Sequence, residues 1–139
     1  MVNQQFTFAV HIMTALAFSA GKVVDSQTLA ASVNTNPVVV RRLLLALRRA
    51  NLIETFAGQH GGARLRKKPE SIRLVDVYDS VEPRPVISIN ERKAFRHCDV
   101  SCQMKNIMST VAESTEQAVR RHLRGITLAQ MVRKVRARR

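Results

Sequence analysis

The chain has 139 residues, with 23 Lys and Arg against 10 Asp and Glu; its formal net charge of +13 directs it to nucleic acid, acidic proteins or anionic membrane surfaces. That length suits one domain or one domain with an appendage. The 45% apolar content excludes a disordered basic tail, 5 Gly and 4 Pro exclude collagen-like and low-complexity chains, and 2 Cys are too few for a disulfide scaffold.

The first predicted element is a helix over residues 5–20. Phe6, Ala9, Ile12, Met13, Leu16 and Ala17 recur at three- and four-residue spacing, and Gly21 is the expected stop. Asp25 and Ser26 then open a short helix through Ser32. Asn34-Thr35-Asn36-Pro37 breaks it, Asn36 caps the next helix, and Pro37 suits a first turn because its missing N–H costs nothing there. That third helix ends near Asn51. A short helix, a turn and a longer helix are the helix-turn-helix arrangement. Leu52 to Phe56 and Ala63 to Arg66 read as two strands around a turn containing Gly58, Gly61 and Gly62, a hairpin placed as a wing.

A further helix is predicted from Ile72 to Val81, ended by Glu82-Pro83-Arg84-Pro85. Residues 83–101 read as a loop, with Val86 to Ile89 as a short strand. A long helix over 102–124 carries Met104, Ile107, Met108, Val111, Ala112, Ala118, Val119 and Leu123 on one side. Gly125 stops it, Thr127 caps a last helix from Leu128 to Val135, and Arg136 to Arg139 is expected to fray. The domain organisation is thus 1–82 winged helix-turn-helix, 83–101 a loop with the cysteines, and 102–139 a dimerisation helix with a C-terminal helix. The fold class is mainly α with a small β-hairpin wing.

Four constellations are candidates for chemistry. On the 37–51 helix, Val40, Leu43, Leu44 and Leu47 share one face, and Arg41, Arg42, Arg48 and Arg49 the other, with Val38 at the N-terminal end. A recognition helix needs such a layout, a buried stripe holding it and N-terminal side chains facing base edges. Arg41 and Arg42 suit guanine edges or phosphates, and Val38 suits a thymine methyl; the alternative is a solvated basic face. Leu45 fits neither face. In the glycine-rich turn, His60 and Arg64 are the candidate contacts, against a plain hairpin turn. Nothing matches a nucleotide-binding phosphate loop.

The third constellation is His97, Cys98 and Cys102, behind Arg92, Lys93 and Arg96. Basic surroundings of this kind accompany reactive thiols. The alternatives are inert thiols, a redox pair, or part of a metal or cluster site shared by two subunits; four ligands are wanted for a closed site and only these are local. The fourth is the 104–123 stripe, which wants a partner helix. A two-fold homodimer sets two recognition helices about 34–36 Å apart, one turn of duplex; the alternative is packing within one chain. His11, His60, His97 and His122 lack a paired Ser, Asp or Glu at a recognisable spacing, so no enzyme is expected. Aromatics are 4% and Trp is absent, so duplex readout fits better than base stacking. No run of about 18 apolar residues predicts a membrane span, and the N-terminus lacks the basic start of a signal peptide, so a cytoplasmic location is expected.

The sequence resembles the bacterial winged-helix regulators of the Rrf-two family. The resemblance rests on Leu29-Ala30, Val33 to Pro37, Val40 to Leu44, Leu47 to Ile53, Gly58 to Leu65, Pro69 to Tyr78 and Ile126 to Ala129, and covers about residues 5–132. It implies a dimeric winged helix-turn-helix DNA-binding protein with a long dimerisation helix, here 102–124, and the favoured reading is a transcription regulator, a repressor, of a palindromic operator. It places Thr35, Pro37, Val38, Arg41 and Arg42 in the major groove, Gln59, His60 and Arg64 of the wing at the minor groove or backbone, and Gln27 at a phosphate. Cluster-binding members carry three cysteines before the long helix. This chain has Cys98 and Cys102, so it resembles the branch without an iron–sulfur cluster, and no cofactor or metal is expected. The signal expected instead is oxidative or electrophilic, through those two thiols. The family's wing usually carries Arg before its first Gly and an aromatic after the Gly pair; Ala57 and Ala63 stand here, so His60 or Arg64 is expected to replace that Arg. The competing reading is an architectural or RNA-binding protein that uses its charge without sequence choice.

Overall fold

The computed structural model describes residues 4–82 and 84–139. Helix α1 (Gln5–Phe18) is the centre of the core: Ala9, Ile12, Met13 and Leu16 are fully buried, as the predicted stripe requires. It stops two residues before the predicted end, because Ala20 and Gly21 both take positive φ and turn the chain. Helix α2 (Ser26–Val33) starts on Asp25, whose carboxylate accepts from the Thr28 N–H at 2.7 Å, and ends on Asn34 in the left-handed conformation. Helix α3 (Pro37–Arg49) starts on Asn36, whose side chain accepts from the Val38 N–H at 2.8 Å. Val40, Leu43, Leu44 and Leu47 are buried. At about 1.5–3 kcal/mol per fully buried aliphatic side chain, this stripe anchors the helix firmly enough to leave its opposite face to other uses.

Strands β1 (Ile53–Phe56) and β2 (Gly62–Leu65) pair antiparallel, Ile53 opposite Leu65 and Phe56 opposite Gly62. A third short segment joins them. Val24 exchanges two backbone hydrogen bonds of 2.9 Å with Ala63, tying the hairpin to the residue before the α2 cap. This tie fixes the chemistry of the turn. A Cβ on Gly62 would lie 2.2 Å from the Val24 carbonyl oxygen, and one on Gly61 would lie 2.2 Å from the Phe56 oxygen.

The predicted Ile72–Val81 helix is shorter and preceded by a break. Pro69–Ser71 forms a 3-10 turn, Ile72 and Arg73 are extended, and α4 runs Leu74–Val81. The break has a tertiary cause: Leu74 donates to the Ile126 carbonyl and Leu128 to the Ile72 carbonyl, at 2.9 and 2.8 Å, an isolated bridge between Arg73 and Thr127. Residues 86–89 form no strand; the Val86 N–H donates instead to a side chain, Glu116 Oε1, at 3.0 Å. Pro83, expected to help end α4, lies outside the described residues, as do residues 1–3.

Helix α5 (Asp99–Arg124) begins three residues before the predicted 102, so Cys98 is its N-cap and Cys102 lies in its first turn. Helix α6 (Leu128–Ala137) continues two residues beyond Val135, and its tail is not free. The Arg136 and Arg139 guanidinium carbons stand 5.6 and 5.4 Å from the centroid of the Phe18 ring. Buried residues of α1, α2, α3, the hairpin, α4 and α6 form one core, to which α5 adds none. Among the described residues, no helix is long and apolar enough to cross a membrane.

Candidate nucleic-acid interface

The exposed side of α3 faces outward beside the hairpin. Arg41, Arg42, Arg48 and Arg49 are exposed, as the sequence predicts, and so are Val38 and Leu45. Leu45, which fitted neither predicted face, lies on the outward side at the same helical angle as Val38, two turns on. Between α3 and the hairpin runs an open groove of about 610 Å3. Arg41 and Arg48 form its helix wall, Phe56 and Gln59 its hairpin wall, and Ser26 and Gln27 its floor at the start of α2.

Of the predicted contact residues, the groove therefore brings together Gln27, Arg41 and Gln59. Thr35, Pro37 and Val38 stand at the N-terminal end of the same helix, and His60 is exposed at the hairpin tip. Arg42 turns the other way. It lines a separate crevice with Asp79 and Ser80 of α4, a consequence of the roughly 100° between successive residues. Arg64 is already engaged. Its Nε donates to Glu54 Oε2 at 3.0 Å, across the strand pair, and its guanidinium lies 5.0 Å from the centre of the Phe56 ring. Arg64 thus holds the hairpin in shape and presents less free charge than a solvated arginine.

Phe56 and Arg48 belong to the groove and were not singled out as contacts. The signal for Phe56 was present: it is the one large apolar residue in the predicted hairpin that the buried alternation leaves outside, and it is 42% exposed. Asp25 lies at the floor, and its carboxyl is held below the ordinary value mainly by the Thr28 backbone N–H, then by the Thr28 hydroxyl. Its charge is consumed in capping α2 rather than opposing an anion in the groove.

The second region of interest is α5. Its predicted single stripe resolves into two. Met108, Ala112, Val119 and Leu123 are half-buried, on the side turned to the body. Val100, Met104, Ile107 and Val111 form a separate exposed seam, with Ile107 at 53%. Polar contacts tether α5 through its C-terminal half. The Tyr78 hydroxyl donates to Glu116 Oε2 at 2.8 Å, Arg120 pairs with Asp79, and Arg73 donates to the Arg124 carbonyl at 2.9 Å. Burial, then the Glu116 hydrogen bond, push the Tyr78 phenol up to about 12.

At the N-terminal end of α5, the Ser101 N–H donates to Cys98 Sγ at 3.5 Å, and the Cys102 thiol points at the carbonyls of Phe95 and Arg96, 3.7 Å from each. His97 stacks edge-on against Phe95 instead of joining the thiols. Among the described residues, no three His, Cys, Asp or Glu side chains converge to hold a metal. Two thiols, both engaged with backbone groups, do not fit an iron–sulfur cluster within one chain.

Comparison with known proteins places this geometry. A family model described as Rrf2, "Iron-dependent Transcriptional regulator", matches residues 2–134. YwnA of Bacillus subtilis (strain 168), named among HTH-type transcriptional regulators, is 32% identical over 123 residues, covering 88% of this chain and 90% of that protein. A crystal structure described as that of a DNA-binding protein is 31% identical, covers 91% of this chain and 97% of that one, and superposes with a TM-score of 0.73. CymR (YrzC), the global cysteine regulator of B. subtilis, shares the fold at a TM-score of 0.68 and 20% identity, over 96% of this chain and 97% of that one.

Proposed function

The chain belongs to the Rrf2 family of transcriptional regulators, and from that premise we propose that it binds a palindromic operator as a homodimer in the cytoplasm and represses transcription there. The observation that carries the reading is the α3–hairpin groove, a cationic helix face beside an exposed wing. In this reading α3 enters the major groove. Arg41 and Arg42 meet guanine edges or phosphates, Val38 meets a thymine methyl, and Thr35 and Pro37 set the approach of the helix. Gln27 meets a phosphate, and Gln59 and His60 reach the adjacent minor groove or backbone, with Arg64 acting mainly through the shape of the wing. A family of transcriptional regulators offers no precedent for an enzyme.

The exposed seam of α5 supports the dimer. Four large apolar residues within a narrow arc of a helix with no buried residue need a cover, and a second α5 supplies the same seam in reverse. A dimer seated over a promoter excludes polymerase, which gives repression as the sense of control. The thiols are the proposed signal input. Peroxide converts the Cys98 and Cys102 thiols to a disulfide, the two sulfurs losing two electrons and two protons while the peroxide becomes two waters. Closure requires the first turn of α5 to rearrange, because Cys98 Sγ accepts from the Ser101 N–H and the Cys102 thiol points at the Phe95 and Arg96 carbonyls.

The test is a salt titration of binding to genomic fragments. A specific regulator selects a few fragments, and its affinity falls with salt at a slope of about −0.9 per phosphate contacted. Equal affinity for every fragment supports the architectural reading and overturns the operator. Operator affinity before and after mild peroxide, in the wild type and in Cys98→Ser, tests the input; no change in the wild type removes it.

A further inference from the structure

The α3–hairpin groove is not the only large concavity. A second groove of about 560 Å3 lies on another face of the molecule, between α1, α2 and α6. It differs from the first in character. Val10, Ala15 and Phe18 of α1, Leu29 of α2, and Met131 and Val135 of α6 make a largely apolar wall, and among the described residues no Asp, Glu, Lys or Arg lines it. Its size is that of an ordinary small-molecule site. At its α1–α2 edge, His11 Nε2 and Ser32 Oγ are joined at 2.9 Å. At its α6 end, Arg136 and Arg139 stand over the Phe18 ring, 5.6 and 5.4 Å from its centre.

Those arginines select the occupant. Among the described residues no ion pair engages Arg136 or Arg139, and both are exposed. They face an aromatic ring that forms part of an apolar wall, so an apolar body lying on Phe18 brings any attached carboxylate to two guanidinium groups. We propose that this groove binds a small organic anion with a flat or extended apolar body, of the aromatic or medium-chain carboxylate class, and that its occupancy tunes DNA binding. The first half of the proposal stands on the groove alone; the second rests on the regulator reading above. Coupling has a short physical route, because Leu29, Thr28 and Ser32 line the groove on one side of α2 while Ser26 and Gln27 floor the DNA groove on the other. An occupant bearing on α2 changes how the first helix of the helix-turn-helix sits against α3.

The experiment uses the full chain and two probes with the same apolar body, 2-naphthoate and the neutral 2-naphthalenemethanol, followed by calorimetry. Naphthoate is expected to bind saturably. Arg136→Glu with Arg139→Glu weakens naphthoate about tenfold or more, from two lost ion pairs and two reversed charges, and leaves the alcohol unchanged. Val135→Trp, at a residue already 45% exposed and outside the core, fills the groove and removes both probes. Absence of naphthoate binding, or equal binding by Val135→Trp, overturns the site. If Val135→Trp changes the sedimentation of the protein instead of its probe affinity, the groove is an interface between copies of this chain and the proposal fails. For the coupling, saturating naphthoate is expected to shift operator affinity by about fivefold or more. An unchanged affinity, in a protein that binds operator normally without the probe, overturns the tuning alone. Failure of the probe-free protein to bind any operator overturns the regulator reading, and with it the tuning, while the calorimetry still decides the site.

Discussion

Replacing Gly62 by Ala tests the structural logic of the wing. The substitution adds one carbon, yet the structure places that carbon 2.2 Å from the Val24 oxygen, 2.5 Å from the Val24 carbonyl carbon and 2.8 Å from the Asp25 Cα. These are all backbone atoms, so no side chain can swing away. Gly62 also has φ +149, a region that L side chains rarely adopt. Relief requires the hairpin to leave Val24, which breaks the two 2.9 Å hydrogen bonds between Val24 and Ala63. Two net backbone hydrogen bonds at about 1 kcal/mol each, with about 1–2 kcal/mol of backbone strain, give a loss of roughly 3–4 kcal/mol. Gly58→Ala is the control. It also has positive φ, +97, but a Cβ there meets nothing within 4 Å, so strain alone predicts about 1–2 kcal/mol. Urea unfolding of both variants, at equal protein concentration, measures the difference. The reasoning is refuted if Gly62→Ala costs no more than Gly58→Ala, since only the close approach to Val24 separates them. Because Val24 adjoins the α2 cap and the DNA groove floor, Gly62→Ala is also expected to weaken operator binding in a fragment-shift assay at a denaturant-free concentration where it remains folded.

Four further expectations follow from the same geometry. Arg41→Ala, on the groove wall, lowers operator affinity by about 1–3 kcal/mol or reduces the salt slope by about one unit, according to whether it meets a base or a phosphate; fluorescence anisotropy across a salt series distinguishes the two. Ile107→Glu, placing a charge on the exposed seam of α5, converts the proposed dimer to monomer in analytical ultracentrifugation without lowering helix content, because Ile107 makes no core contact. Asn36→Ala removes the cap bond to Val38 and costs about 1 kcal/mol in urea unfolding. Tyr78 has its pKa raised in the folded state, so its contribution is complete below pH 10 and is lost as pH rises toward about 12; Tyr78→Phe flattens that part of the stability–pH curve.

The helix-turn-helix was legible because its signals are local. Asn36, Pro37 and the 3.6-residue stripe of α3 specify a start, a first turn and a buried face without knowledge of anything distant. The glycine turn was legible as a turn, but the reason for Gly62 was not, since the atom that excludes a side chain belongs to Val24, thirty-eight positions earlier. The same distance hid the break before α4, where Ile72 and Arg73 are drawn extended by residues 126–128. Val86 to Ile89 has strand-like residues but no ladder to join. Arg64 is a candidate wing contact in the sequence; its cross-strand partner Glu54 and the Phe56 ring follow from register, which the sequence does not state. The tail read as frayed is held by a ring on α1. Apart from Val86 to Ile89, where a partner strand is what is missing, each of these differences is a tertiary contact overriding a local signal.

The placement of the α5 tethers has a mechanical corollary. Glu116, Arg120 and Arg124 fasten the helix to the body, while Cys98 and Cys102 sit at its far end. About seventeen residues of rigid rod separate the tether from the thiols, roughly 26 Å. A pivot of about 5° at the fastening therefore swings the cysteine end by about 2 Å, and the same lever runs in reverse. In the proposed dimer joined along α5, the proposed oxidation of the thiols would be geared into a change of angle between the two α3–hairpin faces, and a duplex, with its fixed helical repeat, would be the ruler that reports it.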